Sequence, residues 1–228
     1  MKYTILSPFE RLPFFTIEGF RQIAGDDIVD DAHVRTALYR WAKAGHLIAL
    51  KKGVYMHRRF YEQHRQDTAF SPVVSAILLP QSYLSLEYVL QRHGILAEIT
   101  YPVTAITIKN THTIVNALGT FVYRHIQPDL YQGFQIMEAY GVQFAQASVA
   151  KALFDYLYLR SLPADLDPRR YNLAEALRLN LDELTREERE EFAGHVASSD
   201  VVRMGHMKMR RVKMRRILNN LEYTVWRP

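Results

Sequence analysis

Between Ala32 and Tyr61 the chain carries seven Lys or Arg residues and no Asp or Glu, and its apolar period changes once, from helical to extended, at Gly45. Val34, Ala37, Leu38 and Trp41 recur at helical spacing and share one face, while Arg35, Thr36, Tyr39, Arg40 and Lys43 fall opposite. Asp30 or Asp31 supplies a cap for the first turn, and Gly45 stands where a left-handed residue ends a helix. Two short apolar runs follow, Leu47 to Leu50 and Val54 to Met56, joined by Lys51-Lys52-Gly53, which predicts a β-hairpin with a basic tip. A basic-faced helix followed directly by such a hairpin is the close of a winged helix-turn-helix, in which the helix enters the major groove and the hairpin follows a phosphate backbone. A stretch needing only solubility would mix the signs of its charges. The plainer alternative is a solvated helix face beside a basic loop.

On the DNA-binding reading, Arg35, Thr36, Tyr39 and Arg40 read base edges, and His33, Lys43, Lys51, Lys52, Arg58 and Arg59 hold phosphates. Upstream, Thr16 caps a first helix carrying Phe20 and Ile23, with Gly25 to Asp31 as the turn. The expected core of this small domain is Phe14, Phe15, Phe20, Ile23, Val34, Leu38, Trp41, Leu47, Ile48, Val54 and Tyr55. The polar stretch from Phe60 to Phe70 places a boundary, giving residues 1–62 as the winged helix-turn-helix domain and 63–228 as a second, α+β domain.

In that second domain helices are expected within 72–93, strands within 102–140 and helices within 145–221. Val103–Ile108, Thr120–Ile126 and Phe134–Ala139 read as strands close enough in sequence for a small antiparallel meander. Lys151 and Asp155 read as an i,i+4 helix pair worth about 0.3 kcal/mol. Between Val201 and Leu221 seven further Lys or Arg residues occur without an acid, on a helix whose other face carries Met204, Met207, Met214, Leu218 and Leu221. Lys208, Arg210, Arg211, Lys213, Arg215 and Arg216 thus form either a second basic contact surface or the solvated face of a packed helix.

Composition narrows the function classes. Net charge is +5 with an isoelectric point near 9.3, which suits an anionic partner. The chain has no Cys, so disulfides and thiolate chemistry are excluded. Neither a signal-peptide pattern nor a membrane-spanning run is present, and a cytoplasmic protein without a membrane partner is expected. No Gly-rich phosphate loop occurs, no dinucleotide fingerprint, and no His pair at metal spacing among the nine His. The expectation is no catalytic residue, no metal, no cofactor and no enzyme. Glu87 with His93 is the one acid–His pairing of interest, and helical spacing points the two apart.

Three stretches together resemble the AbiEi family, the antitoxins of AbiE abortive-infection (type IV) toxin–antitoxin systems. They are Phe15-Thr16 with Val34 to Arg40 and Leu50 to Tyr55; Tyr83 to Glu87 leading to His93-Gly94; and Ala147 to Asp155. In the last of these Val149-Ala150 stand where the family tends to carry Pro-Glu. The resemblance implies an autorepressor that binds inverted repeats in its own promoter as a monomer or weak homodimer. It also implies a C-terminal domain that counteracts a nucleotidyltransferase-like toxin, an opposition that need not involve a stable complex. Two other classes remain open from the residues: a ligand-sensing regulator without a toxin, and a nucleic-acid-processing enzyme with its site in the second domain.

Overall fold

Aromatic rings organise the N-terminal part of the chain. Phe9 lies 4.3 Å from Phe15, ring centre to ring centre, and Phe20 meets Trp41 edge-on at 6.0 Å. Around them Leu6, Val34, Leu38 and Leu47 close a core. The computed structural model describes residues 3–24, 31–97, 102–163, 166–201 and 207–226. These residues form a mixed α+β structure of two units.

The first unit opens with a 3-10 helix at Tyr3–Phe9, strand β1 at Phe15–Thr16 and helices α1 at Ile17–Ala24 and α2 at Asp31–Lys43. Strands β2, Leu47–Lys51, and β3, Val54–His57, then form a hairpin, and α3 at Arg58–His64 and α4 at Phe70–Leu78 follow. The three strands make an antiparallel sheet in the order β1-β3-β2, with Phe15 opposite Tyr55. Thr16 caps α1 as expected, its hydroxyl accepting the Gly19 amide at 3.0 Å. The expected turn at residues 25–30 and the side chains of Asp30 and Asp31 lie outside the described residues.

Two expected core residues are displaced. Ile23, in the last turn of α1, is 49% exposed, and Phe14 is only half-buried. Their places are taken by Leu6 and Phe9, both fully buried, from the 3-10 helix. The boundary expected at residue 62 also falls inside the first unit, which runs to Pro80 and takes in the segments Thr113–Phe121 and Met137–Phe144. The physical reason is that α3 and α4 are apolar where they meet this unit. Phe60 and Phe70 are buried, the Tyr61 ring packs 5.8 Å from Phe70, and Tyr140 meets Phe60 edge-on at 5.3 Å.

The second unit comprises Gln81–His112, Val122–Ile136 and Ala145–Pro228. The chain beyond Pro80 contributes the strands β4 (Ser82–Leu84), β5 (Val103–Thr107), β6 (His112–Asn116), β7 (Gly119–His125), β8 (Phe134–Ala139) and β9 (Val142–Ala147). Helix α5, Glu87–Arg92, follows β4. After the sheet come α6 at Val149–Leu159, α7 at Leu173–Ala176, α8 at Arg186–Val201 and α9 at Met207–Thr224. The expected antiparallel meander is corrected to a mixed six-stranded sheet in the order β6-β7-β5-β4-β9-β8, in which β4 runs antiparallel to β5 but parallel to β9. Within the stretch 72–93 expected to be helical, Ser82–Leu84 are instead an interior strand buried at every position, and α5 starts only at Glu87.

The Lys151–Asp155 pair is also not the surface pair expected. Both side chains are sealed, at 1% and 0% exposure, with the ammonium 2.7 Å from the carboxylate. Lys151 donates further to the Leu130 carbonyl at 2.9 Å, while Asp155 accepts from Tyr83 and Ser85 hydroxyls at 2.9 and 2.8 Å. Burial pushes the Asp155 carboxyl up, and the Lys151 ammonium and the two hydroxyls pull it back. Every partner is satisfied, so the cluster reads as the polar pin of the second core.

Candidate nucleic-acid interface

Helix α2 sorts its residues as its period demands. Val34, Leu38 and Trp41 are buried, whereas His33, Arg35, Thr36, Tyr39, Arg40 and Lys43 are exposed, Tyr39 at 65%. Tyr39 is thus a large aromatic left bare on the same face as guanidinium and ammonium groups. No acid lies among the described side chains of this face, which carries Arg35, Arg40 and Lys43.

The end of α2 sets the hairpin's departure. Gly45 adopts φ +80°, the His46 amide reaches back to the Trp41 carbonyl at 2.9 Å, and the Gly45 amide reaches Ala42 at 3.1 Å. This paired closure is the Schellman motif, and a Cβ at φ +80° would strain it. The chain leaves directly into β2. At the tip Gly53, at φ +76°, lets the strands turn and offers its carbonyl to the Ile17 amide at 3.2 Å. The outer strand is braced within the same unit by Asn116, which donates to the Leu50 carbonyl at 3.0 Å.

The six expected phosphate contacts do not share one fate. Lys43 and Lys52 are exposed, Lys52 at the hairpin tip, and His33 is exposed on α2. Lys51 is turned inward and donates to the Ile77 and Leu78 carbonyls at 2.7 and 2.9 Å, at the C-terminal end of α4. There it neutralises the negative end of a helix dipole, so its charge holds the fold together. Arg58 pairs with Glu62 at 2.9 Å and Arg59 with Glu10 at 2.7 Å, both at the surface. Such exposed pairs are weak and exchange readily for another anion.

His57, between hairpin and α3, is buried and caps α3 by accepting the Arg59 amide on Nδ1 at 3.1 Å. Burial lowers its pKa, with Glu10 opposing, which keeps the ring neutral and able to accept. The sequence held a signal for this role, an uncharged residue preceding a basic helical turn, but His is not among the usual capping residues.

The second basic surface is divided too. Lys213 donates to the Tyr158 carbonyl at 3.1 Å and to that of Arg160, closing the end of α6. Arg215 and Arg216 are exposed on α9, and the side chains of Lys208, Arg210 and Arg211 lie outside those described. The apolar face of α9 is carried by Met214, Ile217 and Leu221, all fully buried, with Leu218 half-buried; the side chains of Met204 and Met207 are outside those described. Asn220 fixes that face by donating to the Leu166 and Tyr171 carbonyls and accepting the Leu173 amide at 3.1 Å. Glu87 and His93 stand at opposite ends of α5, Glu87 half-buried and His93 exposed.

Among the described residues no group of three or more His, Asp or Glu is arranged to hold a metal ion, and no helix is long and apolar enough to cross a membrane. No family model matches the chain, and no curated protein is similar enough to it to count as a match.

Proposed function

We propose that the first unit is a winged helix-turn-helix that binds duplex DNA, and that the protein is a transcriptional autorepressor and antitoxin of an AbiE-like type IV toxin–antitoxin system, not an enzyme. One observation carries the DNA-binding half. The exposed face of α2 presents Arg35, Thr36, Tyr39, Arg40 and Lys43, with no acid among its described side chains, and leads straight into a hairpin tipped by Lys52. The order of elements supports it. Helix, strand, helix, helix and two strands, with the first strand paired to the last, is the order of a winged helix-turn-helix.

In this reading α2 enters the major groove, where Arg35 and Arg40 pair with guanine edges and Tyr39 and Thr36 contact neighbouring bases. Lys43 and Lys52 hold phosphates on either side, joined by His33 and, once their carboxylate partners are exchanged, by Arg58 and Arg59. The promoter repeats and the opposed nucleotidyltransferase-like toxin rest on the resemblance to AbiEi antitoxins, carried by Val34 to Arg40, Leu50 to Tyr55, Tyr83 to Glu87 and Ala147 to Asp155.

The test is fluorescence anisotropy of the full chain with DNA from upstream of its own gene and with scrambled DNA, at two salt concentrations. Preference for the upstream fragment that survives the higher salt is expected. Arg35→Ala and Arg40→Ala should each relax that preference by about 1–3 kcal/mol. Equal binding to both DNAs that is lost at the higher salt would refute sequence-specific recognition. Co-expression with the neighbouring gene tests the antitoxin half separately.

A further inference from the structure

Two strained turns of the second unit line one groove. Leu86, at φ 60° and ψ −141°, and Arg178, at φ 53°, hold backbone conformations that side chains other than glycine's seldom adopt. Each is held by bonds from elsewhere in the unit. The Thr104 hydroxyl ties Leu86 down from both sides, donating to the Ser85 carbonyl at 2.8 Å and accepting the Tyr88 amide at 3.0 Å. Arg178 is fixed by a bridge between Leu96 and Leu179 and by the Asn180 amide on the Ile95 carbonyl at 2.9 Å. Strain that a fold over-determines in this way collects at ligand sites.

The groove consists of two cavities, of about 530 and 250 Å³, that share Glu87, Tyr156 and Arg160 as walls. Together they fall in the size range of small-molecule sites. Arg178 lines the larger cavity, Arg124 the smaller and Arg160 both, with Glu87 the one acid in either lining. Tyr156 and Arg160 project from the same side of α6, one turn apart, and the Arg160 guanidinium lies 5.0 Å over the Tyr156 ring and donates to its hydroxyl. Lys213, on the carbonyls of Tyr158 and Arg160, anchors the backbone beneath them.

We propose that this groove binds a phosphate monoester of a hydroxyl-bearing small molecule, of mononucleotide size. Planar guanidinium forks match the oxygens of phosphate, and a dianionic monoester with three terminal oxygens suits an arginine-rich lining better than a single carboxylate does. Glu87 has the complementary part. A carboxylate repels a bare anion, but it accepts hydroxyl donors, as it does from a ribose diol in dinucleotide sites. The phosphate sits among the arginines and the sugar hydroxyls against Glu87.

Isothermal titration calorimetry of the full chain tests this with the four ribonucleoside 5′-monophosphates, ribose 5-phosphate, inorganic phosphate, and a short single-stranded RNA lacking a terminal phosphate. Saturable binding of at least one organic monoester is expected, weakened about tenfold or more by Arg124→Gln and by Arg160→Gln. Glu87→Gln should weaken the hydroxylated monoesters and leave inorganic phosphate bound as well or better, since a repelling charge is removed. Should Arg160→Gln unfold the protein, Arg124→Gln still decides, because Arg124 is exposed on β7. Binding of inorganic phosphate alone, of the RNA alone, or of monoesters with undiminished affinity in Arg124→Gln would overturn the proposal. So would an absence of saturation by any monoester at about 10 mM. None of these residues lies on α2 or the hairpin, so failure here leaves the DNA-binding reading standing.

Discussion

Replacing Lys151 by Met removes one charge from a sealed pair while keeping most of the side-chain volume. The ammonium is 2.7 Å from Asp155 and 2.9 Å from the Leu130 carbonyl, with neither side chain of the pair reaching solvent. Its loss strands a carboxylate that keeps only the Tyr83 and Ser85 hydroxyls, and breaking a buried pair in this one-sided way costs about 3–5 kcal/mol. Part of that cost is avoided if Asp155 takes up a proton, which burial already favours. A carboxyl whose folded pKa lies above its unfolded value binds the proton more tightly when folded. Its contribution is therefore most favourable at low pH and declines as the pH rises from the ordinary carboxyl value of 3.8 through the raised folded value. Lys151→Met raises that folded value further, so its penalty should be larger at about pH 8 than at about pH 5. Urea unfolding at both pH values, with unchanged denaturant slope, measures it. Adding Asp155→Asn removes the titrating group and should abolish the pH dependence of the penalty. A loss below about 1 kcal/mol that is the same at both pH values would refute the reasoning, and would mean the pair is solvated in a way its burial does not allow.

Lys51→Met should lower the stability of the first unit by about 1–3 kcal/mol, read by urea unfolding, because two carbonyls at the end of α4 lose their donor. Lys52→Ala should leave stability within about 0.5 kcal/mol and instead weaken DNA binding alike for all sequences, reducing the salt slope by about one. Between about pH 7.5 and about pH 5.5 the melting temperature should fall, since burial lowers the pKa of both His57 and His195 from 6.5. A neutral His favoured by the fold contributes fully above its unfolded pKa and loses that contribution as pH falls through the lower folded value, so His57→Asn should shrink the drop. Gly133→Ala should cost about 1–3 kcal/mol, as its Cβ would stand 2.7 Å from His195 Cε1 on a backbone at φ +77°. Urea unfolding of that variant checks it.

The N-terminal elements were legible because each signal was local. The change of period at Gly45, the Thr16 cap and the Lys51-Lys52-Gly53 turn all act within a few residues, and α1, α2 and the hairpin appear where those residues place them. The direction of Lys51 was not legible, since its acceptors lie on α4, well along the chain. Strands β4 and β6 were not legible for two reasons. Ser82–Leu84 is too short to show a period, and His112–Asn116 has the half-buried alternation of an edge strand but little apolar content. The depth of Lys151 and Asp155 depends on Tyr83, Ser85 and Leu130, none of which the i,i+4 spacing brings to mind. The groove arginines likewise come from β7, the end of α6 and the loop after α7. Exposure on α2 followed from periodicity, whereas buried polar contacts needed the tertiary fold.

The segments Thr113–Phe121 and Met137–Phe144 count with the first unit, yet each is inserted between stretches of the second. Biosynthesis must respect that interleaving. A ribosome that has released residues 1–80 has made the helices and hairpin but not Asn116, which braces β2, nor Tyr140, whose hydroxyl reaches Asp67 at 2.6 Å. The first unit can close only after residue 144 has emerged, and the second still awaits Ala145–Pro228 with α6, α7, α8 and α9. No single cut in the gene therefore separates the two units into intact halves.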